Sequence, residues 1–387
     1  MDSRVRGNDG GGDANQEIGD PGGLTKPPPV VAVTEEEKMD SRVRGNDGGD
    51  GETMGVRAEI RTIRGARLSR LVSMKDRDDA IRARSFVACE ALARSHYENF
   101  TVVSRVLLPA DPARDLAAVY AFCRMADDAA DEIDDDSESL AALGVMRQQL
   151  ETCAAGGCDE AIWGPALGDV IRRHDVPLEL FGRLLDAFER DRRQDRYRDW
   201  ADLLSYCHDS ANPVGRIVLH ISGHGARRDF GELCLLSDRI CTGLQLANHW
   251  QDVVGDLSQR GRVYIPQDLL DQFGVEEADL RTGAVAVDRF VGLMRELVGR
   301  ARALFDEGAA LCDLVDPAIR PSVQLFRLGG VSILHAIEQQ GFDVLRQRPA
   351  VSSWWKGVLV GAAWLSRESG IDVVGWLAGR VERGCSA

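Results

Sequence analysis

The sequence predicts an all-α protein, on three observations. From about Asp76 onward Ala, Leu, Arg and Glu dominate, and apolar residues recur at helical spacing with little strand-like alternation. The runs are separated by helix breakers, among them Pro109, Pro112, Gly156-Gly157, Pro177 and Gly274. A hydrophobic share of 44% supplies a sizeable core in a chain of 387 residues, enough for one large domain or two ordinary ones.

Residues 1–75 depart from that pattern. The segment MDSRVRGNDGG at residues 1–11 recurs letter for letter at residues 39–49, with Gly, Asp, a Pro27-Pro28-Pro29 run and a Glu run between the copies. So little apolar surface cannot offset the entropy of ordering, so residues 1–75 read as a disordered extension without function, with Met54 or Met74 as the true start. Residues 76–350 read as the main domain and 351–387 as a Trp-rich tail. Within the domain, Pro112 after Asp111 fits a first helical position behind its cap. Asn212-Pro213 implies a break or kink. Ala211 and Gly215 suit either the close passage of a long apolar chain or close helix packing. The short polar segment Gly261–Pro266 reads as a loop or helix cap. In the tail, Trp354, Trp355 and Trp364 flank Val358-Leu359-Val360 and Ala362-Ala363. That composition fits a core-packing helix, and it also fits a segment resting at a membrane boundary, where Trp is favoured.

Two acid-rich segments stand out: Asp127-Asp128-Ala129-Ala130-Asp131-Glu132, and the series Asn248, Asp252, Asp256. At 3.6 residues per turn, Asp127 and Asp131 fall within about 40° of one another, and Asn248, Asp252 and Asp256 within about 80°. Tyr120 and Arg124 lie on the first stripe and Gln245 on the second. Taken alone, each series also describes a solvated helix face. Together, with apolar flanks such as Val119, Phe122, Leu244 and Leu246, they suit a hard, oxygen-seeking cation. Magnesium is usually held by one or two carboxylates together with substrate phosphates. Two facing acidic helices joined through Mg2+ to a diphosphate fit that habit, with Arg124 able to add a charge-assisted bond to phosphate oxygen.

Composition narrows the function further. A net charge of −15 leaves no basic surplus for nucleic acid or for anionic lipid. The nine cysteines are scattered without C-x-x-C pairs, which points to reduced thiols in the cytoplasm rather than to zinc or disulfides. Neither a signal peptide nor an apolar run of membrane-spanning length is evident, and no glycine-rich dinucleotide fingerprint follows a strand.

At these motifs the chain resembles the squalene/phytoene synthases, a branch of the class I isoprenoid (terpenoid) synthases. The resemblance runs from about Ala80 to Pro349. It includes Val119–Arg124, Tyr206-Cys207, Ala211–Arg216, Leu244–Asn248, Gly261–Pro266 and Gln340–Leu345. It implies a helical bundle with a central apolar cavity and the two acidic helices across its mouth. It also implies that Asp127, Asp128, Asp131, Asn248, Asp252 and Asp256 contact magnesium or magnesium diphosphate, and that Tyr120, Arg124, Gln245, Arg262 and Tyr264 contact the prenyl diphosphate. His96–Phe100, Ser210–Arg216 and Trp250-Gln251-Asp252 resemble the hydroxysqualene synthases of hopanoid pathways, in which water captures the cation formed from presqualene diphosphate. His249 stands where that subtype is expected to carry Phe, and Phe342 where relatives often carry Tyr. Gln251 replaces the Arg of the phytoene-type pattern. Two other readings stay open: head-to-head condensation of two farnesyl diphosphates to presqualene diphosphate or squalene, and a non-catalytic prenyl-lipid-binding helper of a partner synthase. Enzymes before and after it in a squalene pathway are the expected functional partners, with a peripheral membrane location as the alternative to a purely cytoplasmic one.

Overall fold

The structure, a computed structural model, describes residues 76–95, 108–157, 161–282 and 286–382. The duplicated N-terminal segment and His96–Phe100 lie outside those residues. Helices account for nearly all regular structure among the described residues, and the one departure is an isolated parallel bridge between Arg196 and Val263. The all-α expectation is met.

The chain opens with α1 (residues 76–95) and α2 (Ala110–Asp131). The latter starts one residue before the Asp111 cap expected from sequence. Pro109 takes the cap position, and Pro112 falls inside the first turn, where its missing N–H is not needed. Next come α3 (Asp136–Ala154), α4 (Gly164–Arg173) and α5 (Leu178–Asp191). Asp135 caps α3 by accepting from Glu138 N–H at 2.9 Å. After α6 (Trp200–Ser210), the break foreseen at Asn212-Pro213 appears as the start of α7 (Asn212–Ile221). The long α8 (Phe230–Gln251) packs against α6 and α7, and it packs also against α12 (Val287–Glu307) and α14 (Arg320–Gln339). Between α8 and α12 lie α9 (Val253–Gln259), α10 (Gln267–Phe273) and α11 (Glu277–Thr282), and α13 (Leu311–Leu314) precedes α14.

Close approach decides the reading of Gly215. A Cβ there would sit 2.2 Å from Ser237 Oγ and 2.6 Å from Cys241 Sγ, so the glycine serves contact between α7 and α8. The core runs through all these helices, with Phe122 edge-on to both Trp163 and Phe181. In the tail, α15 (Ser353–Ser369) and α16 (Val373–Glu382) pack on α14, burying Leu359, Ala362, Ala363 and Val374 against Leu325 and Leu328. The opposite side leaves Trp354, Trp364, Ile371 and Trp376 exposed. Cys89, Cys123, Cys207, Cys234, Cys241 and Cys312 are free thiols. No helix among the described residues is long and apolar enough to cross a membrane.

Candidate active site

The two acidic segments meet across one cavity of about 310 Å³. Asp127 and Asp131 enter from the last turn of α2, while Gln245 and Asn248 come from α8, followed by Asp252 and Asp256. Both α5 and α7 pack against α2, and α7 packs against α8, so these helices position the two acidic segments around the cavity. Leu184, Ala187 and Phe188 on α5 give the cavity an apolar wall, and Tyr206 and Tyr264 add aromatic faces.

The second stripe is not one continuous helix. At Asp252 the backbone leaves α8 (φ −108°, ψ 16°) and re-enters as α9. The i to i+4 bonds persist through the break, from Asp252 N–H to Asn248 O at 3.0 Å and from Asp256 N–H to Asp252 O at 2.9 Å. The 3.6-residue stripe therefore survives an interruption that periodicity does not reveal.

Gly261–Pro266 is a loop, as expected, and it closes the cavity. Gly261 takes φ +67°, and Arg196 Nη1 donates to its carbonyl at 2.6 Å. Val263 N–H bonds to Asp195 O at 2.9 Å. So anchored, Arg262 donates from Nη2 to Asp131 Oδ1 at 3.1 Å and to the Asp191 carbonyl at 3.2 Å. Beneath it Tyr264 stacks on His249 with centroids 3.6 Å apart, and Tyr206 donates its hydroxyl to Asp191 Oδ2 at 2.9 Å.

The remaining expected residues divide. Tyr120, Arg124 and Asp128 are half-buried on α2 but do not line this cavity. Arg124 instead turns along its own helix, pairing with Asp127 Oδ2 at 3.3 Å and with Asp128 Oδ1. Sequence reasoning missed Arg260, Asp191 and His249, all of which line the cavity. Arg260 bridges the two motifs, 3.1 Å from Asp131 Oδ2 and 3.5 Å from Asp256 Oδ1. Its basic character beside the Gly261–Pro266 loop was the available signal. Lying about 100° off the acidic stripe, His249 reaches the cavity through its stacking on Tyr264.

Electrostatics follow from this crowding. Burial, reinforced by neighbouring Asp131, raises the Asp127 carboxyl above its ordinary range. Burial pushes Asp256 up to about 6, with Asp252 adding to it and Arg260 opposing. Asp191 rises to about 6, again through burial, against the pull of Arg262. His249 falls to about 3 because burial and Arg262 disfavour its charged form, leaving a neutral ring. Strained carboxylates beside guanidinium groups mark a place that accepts added positive charge. Among the described residues, no three His, Cys, Asp or Glu side chains converge as a ready-made metal cluster. The donors are oxygen atoms spread around a rim, which suits a cation that arrives with phosphate oxygens.

Residues 93–355, more than half of the chain, match the family described as squalene/phytoene synthase. The chain belongs to that family. Among squalene/phytoene synthases of known structure, it is 42% identical to squalene synthase HpnC from Alicyclobacillus acidocaldarius. That match covers 67% of this chain and 94% of the other, with a TM-score of 0.62. Curated relatives point two ways within the family. Phytoene synthase of Thermus thermophilus is 34% identical over 70% of this chain and 90% of its own length. Hydroxysqualene synthase of Sinorhizobium fredii is 32% identical over 66% of this chain and 84% of its own.

Proposed function

We propose that this squalene/phytoene synthase family member converts presqualene diphosphate to hydroxysqualene with the help of Mg2+. The observation that supports the chemistry is the convergence of Asp127, Asp131, Asn248, Asp252 and Asp256 on one cavity backed by an apolar wall. When bound, magnesium supplies the positive charge that turns the diphosphate into a leaving group. Arg260 and Arg262, already directed at the same carboxylates, would add hydrogen bonds to phosphate oxygen. Arg124, Tyr120 and Asp128 would join by turning away from their own helix, and Gln245 would contact the diphosphate from α8. Leu184, Phe188 and the faces of Tyr206 and Tyr264 would border the cation, stabilise its charge and restrict access of water. After rearrangement, one water adds to one carbon of the cation and releases a proton, which gives the alcohol.

Gln251 and the 42% identity to HpnC favour this reading within the family. Similarity to phytoene synthase favours the second reading, head-to-head condensation of two prenyl diphosphates. One experiment separates them. Purified protein with Mg2+ is given presqualene diphosphate or farnesyl diphosphate, each with and without NADPH, and products are identified by mass spectrometry. Hydroxysqualene from presqualene diphosphate alone supports the first reading, and turnover of farnesyl diphosphate alone overturns it. Such a reaction requires an enzyme upstream that joins two C15 diphosphates and one downstream that reduces the alcohol, as in hopanoid biosynthesis.

The exposed face of α15 and α16 extends this reading to location. Trp354 is 68% exposed and Trp376 58%. Large aromatic side chains on two adjacent helices would rest on a bilayer where the lipid product belongs. Replacing Trp354, Trp364 and Trp376 together by Ser should abolish flotation with liposomes, and unchanged flotation overturns the membrane contact.

A further inference from the structure

The segment after α14 straps the outer side of the second acidic motif. Gly341 and Phe342 turn the chain with φ of +65° and +66°. Val344 and Pro349 are buried, whereas Arg346, Gln347 and Arg348 between them are exposed. A second cavity, of about 510 Å³, separates this strap from α9 and shares Asp252, Asp256 and Arg260 with the first. Two side chains join strap to helix. Buried Gln251 donates from Nε2 to the Pro349 carbonyl at 2.6 Å and accepts at Oε1 from Arg348 Nη2 at 3.2 Å. Arg348 in turn donates from Nη2 to Asp252 Oδ2 at 2.8 Å and from Nε to Asp252 Oδ1.

We propose that Gln251 is a positioning residue that docks this strap and thereby places the Arg348 guanidinium on Asp252 as a built-in counter-ion, which a divalent cation must displace to reach that carboxylate. The bidentate fork takes one lone pair on each carboxylate oxygen and sets a positive charge there, which opposes a metal ion while it holds. The Arg348 side chain is 60% exposed, so its departure moves a charge into water it already touches. Glutamine is the residue type this contact needs, because its amide donates at one end and accepts at the other. Arginine at 251, as in the phytoene-type pattern, offers no acceptor and sets a second positive charge against Arg348. The inference rests on Asp252 as a metal contact under the proposed function, and it is independent of which product forms.

Mn2+ binding followed by electron paramagnetic resonance tests it, on wild type, R348Q, Q251L and R346Q, without substrate and with inorganic pyrophosphate. Arg346 lies on the same strap, 3.0 Å from Asp343, and carries the same charge, so R346Q measures the effect of charge removal alone. Without substrate, R348Q and Q251L should each bind Mn2+ at least threefold more tightly than R346Q. In Q251L the loosened strap should also be cut faster by trypsin after Arg346 than in wild type. Equal affinities in R348Q and R346Q overturn the proposal, as does wild-type affinity in a folded Q251L. Should Q251L fail to fold by thermal melting, R348Q at an exposed position still decides. Wild type that binds no Mn2+ even with pyrophosphate would instead sink the metal reading of Asp252 itself.

Discussion

Asp115 and Asp127 lie about three turns apart on α2, yet their surroundings treat the two carboxylates in opposite ways. Asp115 is fully buried, 2.8 Å from both Arg173 Nη2 and His174 Nε2. Its burial alone would raise the carboxyl, but the hydrogen bonds from Arg173 and His174 outweigh that and hold it below the ordinary range. Asp127 is half-buried and faces Asp131. Burial and that neighbour raise it, and Arg124 and Arg260 only partly compensate. A carboxylate whose partners are complete is a rivet between α2 and α4. One left short of positive charge, beside a cavity, is prepared for something that supplies it.

The comparison predicts a double dissociation, and its largest effect falls on turnover. D127N or D252N should lower turnover by about 1000-fold, equivalent to roughly 4 kcal/mol of barrier. The thermal midpoint of D127N should match or exceed that of wild type, since repulsion from Asp131 is removed, whereas D252N gives up its pair with Arg348 and should not gain. D115A should do the reverse. Leaving Arg173 and His174 without their partner should cost about 3–5 kcal/mol in urea unfolding, with activity per folded molecule retained. If D127N unfolds while D115A folds normally and loses activity, the contrast between the two residues is wrong.

A helix contact offers a smaller test in the same terms. G215A places a methyl where Ser237 and Cys241 already sit, so stability should fall by about 1–3 kcal/mol. Product chain length should not change, because this glycine faces α8 and is absent from the cavity lining. An altered product without loss of stability would return Gly215 to the substrate path.

Periodicity made much of this legible. Breakers mark the helix ends, and the i, i+4 spacing placed Asp127, Asp131, Asn248, Asp252 and Asp256 on faces that do converge. What it could not give is proximity between distant segments. Arg260 reaches Asp131, and Gln251 and Arg348 meet, only because the chain returns on itself after α9 and again after α14. Periodicity also assumes an unbroken helix, so the interruption at Asp252 was invisible. Spacing put Tyr120 and Arg124 on the acidic stripe, but Arg124 pairs within its own helix and neither lines the cavity.

Asp191 supplies the smallest and most specific test, because it combines one good partner with an incomplete shell. Tyr206 donates to Oδ2, while Oδ1 is buried without a hydrogen bond. Its carboxyl titrates near 6 in the folded protein against an ordinary value of 3.8. A raised carboxyl means that the folded state holds a proton more tightly than the unfolded one across that interval. The stabilisation is therefore complete below about pH 4 and is lost as pH rises through about 6. D191N keeps an oxygen for Tyr206 and removes the charge, so at pH 8 it should be more stable than wild type by about 1–3 kcal/mol. The advantage should shrink between pH 6 and pH 4 and vanish at the acid end, measured by urea unfolding of both proteins without added metal. A gain that persists unchanged at pH 4 would mean that the substitution acts through packing, and Asp191 would then belong with Asp115 among the satisfied carboxylates.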